Sequence, residues 1–283
     1  MQGIRMAKPQ NLVFVLVALL IWPSQMAVKT NSNEKSTDTP KPELNMAYAS
    51  LDDQYNGCMA NMKSLLPSLH RSELQESTLY SEAWVKALFN WQDNQTWMYP
   101  RNLEELSEVA VYAYTLAFPP LYKEFNSATR TAAKGAQEYE AYPFKSLHFL
   151  LTWATRFWGK KFRCQRVYRG TSVKFSIGRY FRFGQFTSTS EDPEVARYFE
   201  TVTFFKLITC KGIAISDKSY FQHEEEVLVP PYEMFRVKSI KKTSRNKTVF
   251  AVSVGSCSNH NCIFVGEGSN HTKSCHNHQV LYL

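Results

Sequence analysis

The apolar residues of this 283-residue chain change their repeat once, near Phe162, and that change confines it to two kinds of element in two blocks. Upstream the repeat is helical. Residues 81–91 carry Trp84, Leu88 and Trp91 on one face. Residues 103–118 carry Leu106, Val109, Ala110, Ala113 and Ala117, a stripe stopped by Pro119 and Pro120. Residues 143–154 open with Pro143 in a first-turn position and continue apolar on one side. His148, on that helix, reads as a structural histidine satisfied by its neighbours. Downstream, residues 163–168, 184–187, 203–210, 212–216, 227–229, 235–243 and 248–253 are short runs of strand composition. Glu191-Asp192-Pro193 opens a capped short helix, residues 194–199, between two of them. The pattern predicts an α+β protein, with a helical N-terminal lobe (residues 47–160) packed on a mostly antiparallel β core (residues 161–275). No internal repeat and no glycine-rich phosphate loop occurs, which argues against a Rossmann or Walker nucleotide site.

The first 27 residues read as a targeting segment. Arg5 and Lys8 precede an uncharged apolar run from Leu12 to Trp22, short for a membrane span and suited to a secretory signal peptide cleaved near Ala27. Residues 28–46 are polar and read as a disordered spacer. Residues 276–283 form a C-terminal tail without the apolar run of roughly 10–20 residues that a glycolipid-anchor signal requires. A freely secreted protein with no transmembrane segment in its mature chain is expected. All six cysteines follow the signal, as an oxidising compartment favours, and spacing alone does not choose among the fifteen ways to pair them. No Cys-x-x-Cys pair or His-x-x-x-His partner is present. His260, His271, His276 and His278, near Cys257, Cys262 and Cys275, therefore read as polar tail, and no metal site is expected. Asn94, Asn246 and Asn270 lie in Asn-x-Thr sequons, candidate glycosylation points on surface loops. Formal net charge is +8, or +6 once Arg5 and Lys8 leave with the signal, a balance suited to acidic glycans or membrane surfaces. Lys238, Lys241, Lys242, Arg245 and Lys247 form the densest basic run. It lies between two strands and reads as a solvated hairpin tip, so nucleic acid is not an expected partner.

The chemistry concentrates in Glu224-Glu225-Glu226, just before the run Val-Leu-Val-Pro-Pro. In an extended chain side chains at i and i+2 share a face, so Glu224 and Glu226 are predicted to enter one cavity while Glu225 points away. Like charges that close cost free energy unless a cation or substrate needs them. Upstream lie Val167-Tyr168-Arg169-Gly170 and Phe186-Thr187-Ser188-Thr189-Ser190. Taken singly, three acids make a solvated turn, Arg-Gly a turn, and Ser-Thr-Ser a strand edge or cap. Taken together they supply a cation, a hydroxyl and a carboxylate pair, which suits a phosphate-bearing substrate whose reaction builds positive charge.

In that order and spacing, Arg169, Ser188, Glu224 and Glu226 resemble the Arg…Ser…Glu-x-Glu signature of the vertebrate arginine-specific ecto-ADP-ribosyltransferases. Residues 52–58, 183–188, 209–212, 230–233 and 259–262 also fall in that family's order, so the resemblance covers roughly residues 51–275. The segment between Arg169 and Ser188 is a few residues shorter than in some relatives. The resemblance implies the same fold in outline, with the β core in two sheets. It implies disulfides Cys58–Cys262 and Cys164–Cys210, leaving Cys257 and Cys275 for each other. It further implies NAD or NADP as co-substrate, no permanently bound cofactor, and transfer of ADP-ribose to exposed arginines of proteins with release of nicotinamide. In this reading Glu226 stabilises the cationic ribosyl centre and Ser188 holds Glu226 and the ribose. Arg169 binds pyrophosphate or ribose, Gly170 admits the nicotinamide amide to its backbone, Phe199 stacks on the nicotinamide, and Glu224 activates the acceptor guanidinium. A secreted NAD glycohydrolase is the alternative within enzymes. A silent binding protein of the same fold is the alternative outside them.

Overall fold

The structure, a computed structural model, describes residues 41–93, 98–161, 163–266 and 274–275. The expected signal peptide, most of the expected spacer, Asn94, Asn270 and the C-terminal residues 276–283 lie outside the described residues.

The helical block forms as its periodicity predicts. Helices α1 (Met59–Glu76) and α2 (Thr78–Gln92) share Ser77, whose amide donates to Glu73 O while its hydroxyl accepts from Tyr80 N at 3.2 Å. One residue thus satisfies the end of one helix and the start of the next. Helix α3 (Leu103–Thr115) is capped by Asn102, with Glu104 and Glu105 in its first turn beside the positive end of the helix dipole. Val109, Ala110 and Ala113 are buried, but α3 ends at Thr115, before the predicted Phe118. Leu116 is already extended there (ψ 132°), and Ala117 is carried out of the stripe into a loop running to Pro119 and Pro120. Helices α4 (Leu121–Thr129), α5 (Ala136–Glu140) and α6 (Lys145–Phe157) complete the lobe. Glu73 of α1 accepts from the amides of Lys145 (2.6 Å) and Ser146 (2.9 Å) and so caps α6 from another helix. His148 is fully buried between Tyr55 Oη (2.9 Å) and Leu51 O (3.3 Å); burial lowers its pKa to about 4, so the ring is neutral and structural.

The strands are β1 (Glu43–Leu44), β2 (Gln165–Thr171), β3 (Ser176–Ile177), β4 (Tyr180–Phe181), β5 (Thr187–Ser190), β6 (Thr203–Thr209), β7 (Ile213–Ala214), β8 (Glu226–Val229), β9 (Glu233–Lys242) and β10 (Lys247–Ser256); helix α7 (Pro193–Tyr198) follows β5. Eight run in the order β4-β9-β10-β6-β2-β5-β8-β7, antiparallel throughout except for β10 beside β6. The two halves of that sheet meet only at Tyr168↔Ser190. Val227 and Val229 of β8 pack with Phe205, Leu207 and Val249 of the other half, whereas Leu228 joins the core of the helical lobe. A strand buried on both faces needs a continuous apolar run, which is why Val-Leu-Val follows Glu226. Strand β1 pairs parallel with β3, and Leu44 and Met46 are buried. The spacer predicted to extend to Met46 therefore gives way to ordered chain by residue 43. Leu44 and Met46, the apolar residues at its end, draw it into the fold.

Asp52 and Arg182, both fully buried, form an ion pair at 2.5 Å. Asp52 also accepts from the amides of Asn259 and His260 and the hydroxyl of Ser258, each at 3.0 Å, while Arg182 donates to the carbonyls of Met46 and Ala47. Asp53 accepts from the amides of Tyr55, Cys262 and Ile263. Disulfides join Cys58 to Cys262, Cys164 to Cys210 and Cys257 to Cys275. Asp53, Cys58 and Cys262 form the one metal-ligand-type cluster among the described residues, and both of its sulfurs are engaged in a disulfide. Replacing Asp52 by Ala leaves Arg182 buried without its counter-charge, a change expected to cost about 3–5 kcal/mol in urea unfolding of the oxidised protein. A loss below about 1 kcal/mol would remove the pair from its structural role.

Candidate active site

A cleft of about 660 Å³, within the range of small-molecule sites, opens between the helical lobe and the junction of the two half-sheets. The end of α3 and the inner side of α4 form one wall; β2, β5 and α7 form the other; the loop before β8 closes one end. Arg169, Gly170, Ser188, Phe199, Glu224 and Glu226 all line it. Because β2 and β5 touch at a single residue pair, Arg169 and Ser188 lie where the ladder is interrupted and the strands can present them to the cleft.

Glu226, the first residue of β8, is 5% exposed and pairs across the ladder with Ser190. Burial raises its pKa. Hydrogen bonds from Ser188 and Ser219 and the charge of Arg169 act in the opposite direction. The Ser219 hydroxyl donates to Glu226 Oε2 at 2.9 Å and accepts from Phe221 N at 3.2 Å. Arg169 donates from Nη1 to Ser188 O at 2.6 Å, and burial lowers its pKa against the opposing charges of Tyr114, Glu226 and Tyr122.

Glu224 and Glu226 share the cleft, but not through the extended backbone predicted for them. Glu224 ends a 3-10 turn, Gln222–Glu224, and Glu225 is left-handed (φ 46°, ψ 47°). That conformation is strained for a non-glycine residue. Glu225 is exposed, and its carbonyl accepts from Glu191 N at 3.0 Å; the Ser190 hydroxyl donates to Glu224 O at 2.7 Å. The turn and the reversed residue together swing both carboxylates inward, the placement that alternation along a strand also gives. Glu224 is half-buried; burial first, and then the charge of Glu226, raise its pKa to about 7.

Gly170 lies beneath the end of α7. A Cβ added there would run into the carbonyl oxygens of Ala196 and Glu200, so glycine is required for α7 to pack against β2. Phe199, which follows α7, is 54% exposed at the rim of the cleft, available to a ligand rather than committed to the core. Asn246 is exposed in the β9–β10 turn.

Three residues of the site carry no local signal in the sequence. Ser219 sits in an irregular loop and is recognisable only from its contact with Glu226. Tyr114 and Asn126 belong to helical stripes and read as core. The Tyr114 hydroxyl donates to Phe186 O (2.9 Å), accepts from Asn126 Nδ2 (3.2 Å) and is hydrogen-bonded to Ser188. Asn126 Oδ1 is buried against the cleft without a partner among the described residues.

A β core interrupted at an Arg and a Ser, with paired carboxylates facing them across a cleft, is the arrangement of the ADP-ribosyltransferase class. Comparison with known proteins identifies the branch. The sequence model of the NAD:arginine ADP-ribosyltransferase family matches residues 44–259. Among curated relatives, the chain is 37% identical over 267 residues to the erythroblast NAD(P)(+)–arginine ADP-ribosyltransferase of Gallus gallus (91% of this chain, 88% of the relative). It is 38% identical over 248 residues to GPI-linked NAD(P)(+)–arginine ADP-ribosyltransferase 1 of Mus musculus (82% and 75%). Crystal structures of the mono-ADP-ribosyltransferase ART2.2, 29% identical, superpose over 79% of this chain and 99% of their own with TM-scores of 0.68 and 0.69, the latter for a mutant in complex with NAD. The chain belongs to the NAD:arginine ADP-ribosyltransferase family, and NAD is its substrate.

Burial opposes ionisation of Glu226, so the ionised residue destabilises the fold at pH values above the ordinary carboxylate range and ceases to do so when protonated. Glu226→Gln is therefore expected to melt at a higher temperature than wild type at pH 7.5, with the gap closing as pH falls toward 4. A lower melting temperature at both pH values would show that the carboxylate stabilises its own pocket.

Proposed function

We propose that this chain transfers ADP-ribose from NAD to arginine side chains of extracellular proteins and releases nicotinamide, with Glu226 and Glu224 dividing the donor and acceptor work. Family membership supports the reaction. Three disulfides and the ecto and GPI-linked relatives support the location. No helix of the described residues is long and apolar enough to cross a membrane.

Breaking the bond between the nicotinamide nitrogen and the ribose carbon leaves the bonding pair on nicotinamide and an oxocarbenium-like ribosyl centre behind. A carboxylate fixed by two hydroxyls and an adjacent guanidinium stabilises that charge as it develops. Glu226 takes this role through the ribose hydroxyls, with Ser188 and Ser219 holding it. Arg169, whose planar fork suits phosphate oxygens, retains donors beyond the one given to Ser188 O. Phe199 offers a ring face to the nicotinamide, Gly170 its backbone, and Asn126 Oδ1 an acceptor for a donor group of NAD.

The observation that carries the arginine assignment is Glu224, half-exposed in the same cleft as Glu226 and tuned to about pH 7. A guanidinium, with a pKa above about 12, attacks only when a carboxylate orients it and accepts its proton. Glu224 must be ionised for that step, so transfer is expected to fall as pH drops through about 7.

Incubation of purified protein with labelled NAD and agmatine separates the readings. ADP-ribosyl-agmatine that disappears in Glu226→Ala establishes the transferase, whereas free ADP-ribose alone assigns an NAD glycohydrolase. No turnover by folded protein leaves a binding protein. Glu224→Gln should suppress adduct formation and its acid limb while leaving some NAD hydrolysis. Unchanged transfer by that variant would move the acceptor role elsewhere.

A further inference from the structure

Away from the cleft, three segments distant in sequence each deliver lysine to one place. In the β9–β10 hairpin, Lys242 and Lys247 are directly opposed across the strands. Like charges in such a pair repel. The stretch 173–175 is pinned beside them, with Thr203 Oγ1 donating to Val173 O at 2.7 Å and Lys247 Nζ donating to Phe175 O, and this brings in Lys174. Ser176 N then donates to Pro42 O at 3.0 Å, which brings in Lys41. Lys41, Lys174 and Lys242 are exposed. Partial burial, followed by the charges of Lys242, Lys174 and Lys41, makes the Lys247 ammonium easier to deprotonate, so the four fields meet at one point. Apart from Glu233, buried at the far end of β9, Glu43 is the only carboxylate on these segments; it accepts from Asn45, and none of the four lysines forms an ion pair among the described residues.

The fold thus concentrates positive charge from three segments and, among the described residues, pairs none of it with a carboxylate. The sequence run alone read as a solvated hairpin tip. Lys41 and Lys174 lie outside that run, and only the fold joins them to it.

We propose that Lys41, Lys174, Lys242 and Lys247 form a binding site for a sulfated polysaccharide. A flexible polyanion with closely spaced sulfates can engage ammonium groups spread over neighbouring segments, and the disulfide-bonded, extracellular character of the protein puts such chains within reach. A membrane surface fits less well. Peripheral membrane binding combines basic residues with inserted aromatic or large apolar side chains, whereas these segments expose no aromatic side chain and only two valines, Val173 and Val254, which offer little surface to insert. The site lies at the tip of the β9–β10 hairpin, outside the cleft lining, so bound polysaccharide would localise the enzyme without filling its active site.

The test uses intact, disulfide-bonded protein on immobilised heparin. It is run before and after enzymatic removal of N-linked sugar, because Asn246 sits in the turn beside Lys247. A variant with Lys41, Lys174, Lys242 and Lys247 changed to Gln is compared with one carrying the same change at Lys63, Lys134, Lys206 and Lys211, exposed residues outside the cluster. The first should lose heparin affinity by about tenfold or more with a shallower salt dependence, and the second by less than about twofold, since each ammonium–sulfate contact releases a counterion. Both should turn over NAD and agmatine as wild type does, and desulfated heparin should not bind. Equal losses in the two variants would show attraction by net charge alone, with no site. Binding to phosphatidylserine vesicles that depends on the cluster, without heparin binding, would assign a membrane instead. Either result, or no heparin binding by wild type, overturns the proposal, and none of them bears on the arginine-transfer reading.

Discussion

The interaction on which the architecture depends is the buried pair of Asp52 and Arg182. Neither charge is tolerable in the interior alone, and each brings backbone with it. Arg182 fixes the carbonyls of Met46 and Ala47, and Asp52 fixes the amides of the loop at residues 258–260. Asp53, next in sequence, secures the amides at 262 and 263, and Cys58 is bonded to Cys262 nearby. The two ends of the domain are thus tied at one point on the helical lobe, and the strands between them must close into a compact core. Without that tie, the chain leaving β1 and the loop after β10 would each leave polar backbone unsatisfied.

The same low-dielectric interior sets the properties of the cleft. Glu226 sits where burial disfavours its charge, and the protein compensates with two serine hydroxyls and an arginine instead of exposing it to water. Those donors offset part of the cost of burying the charge, and in the proposed reaction they hold it oriented when a cation forms beside it. Glu224, two residues earlier and half in solvent, meets a different environment and titrates near neutrality. In the proposed mechanism, the difference in exposure between two glutamates is what separates a charge stabiliser from a base.

Much of this was legible in the chain. Trp84, Val109 and Ala113 followed helical spacing because a helix packs one continuous face, and Val227 to Val229 had strand composition because β8 is buried on both faces. Strands β1, β3 and β4 were not legible, since two residues carry no period; β7, equally short, was marked only by the β-rich run around it. The convergence of Glu224 and Glu226 was legible, but its cause was not: alternation along a strand and a turn followed by a left-handed residue place two side chains alike. Tyr114 was hidden because its ring belongs to the core and only its hydroxyl to the site. Ser219 and Asn126 were hidden because their partners are set by tertiary contact. The lysines at 41 and 174 were isolated in sequence and meet the hairpin only in the fold.

The interruption between β2 and β5 has a mechanical side. Where continuous strands would be stitched by a ladder, the half-sheets share one ladder pair and the reach of Arg169 to the carbonyl of Ser188, with the packing of Val227 and Val229 behind them. Few backbone hydrogen bonds therefore join the strands along the line that borders the cleft, and the Arg169 guanidinium is a cross-tie there. A ligand drawing on that guanidinium is gripping a structural fastener. Filling the cleft and stiffening the scaffold around it become one event, and losing this arginine would slacken the frame as well as empty the pocket.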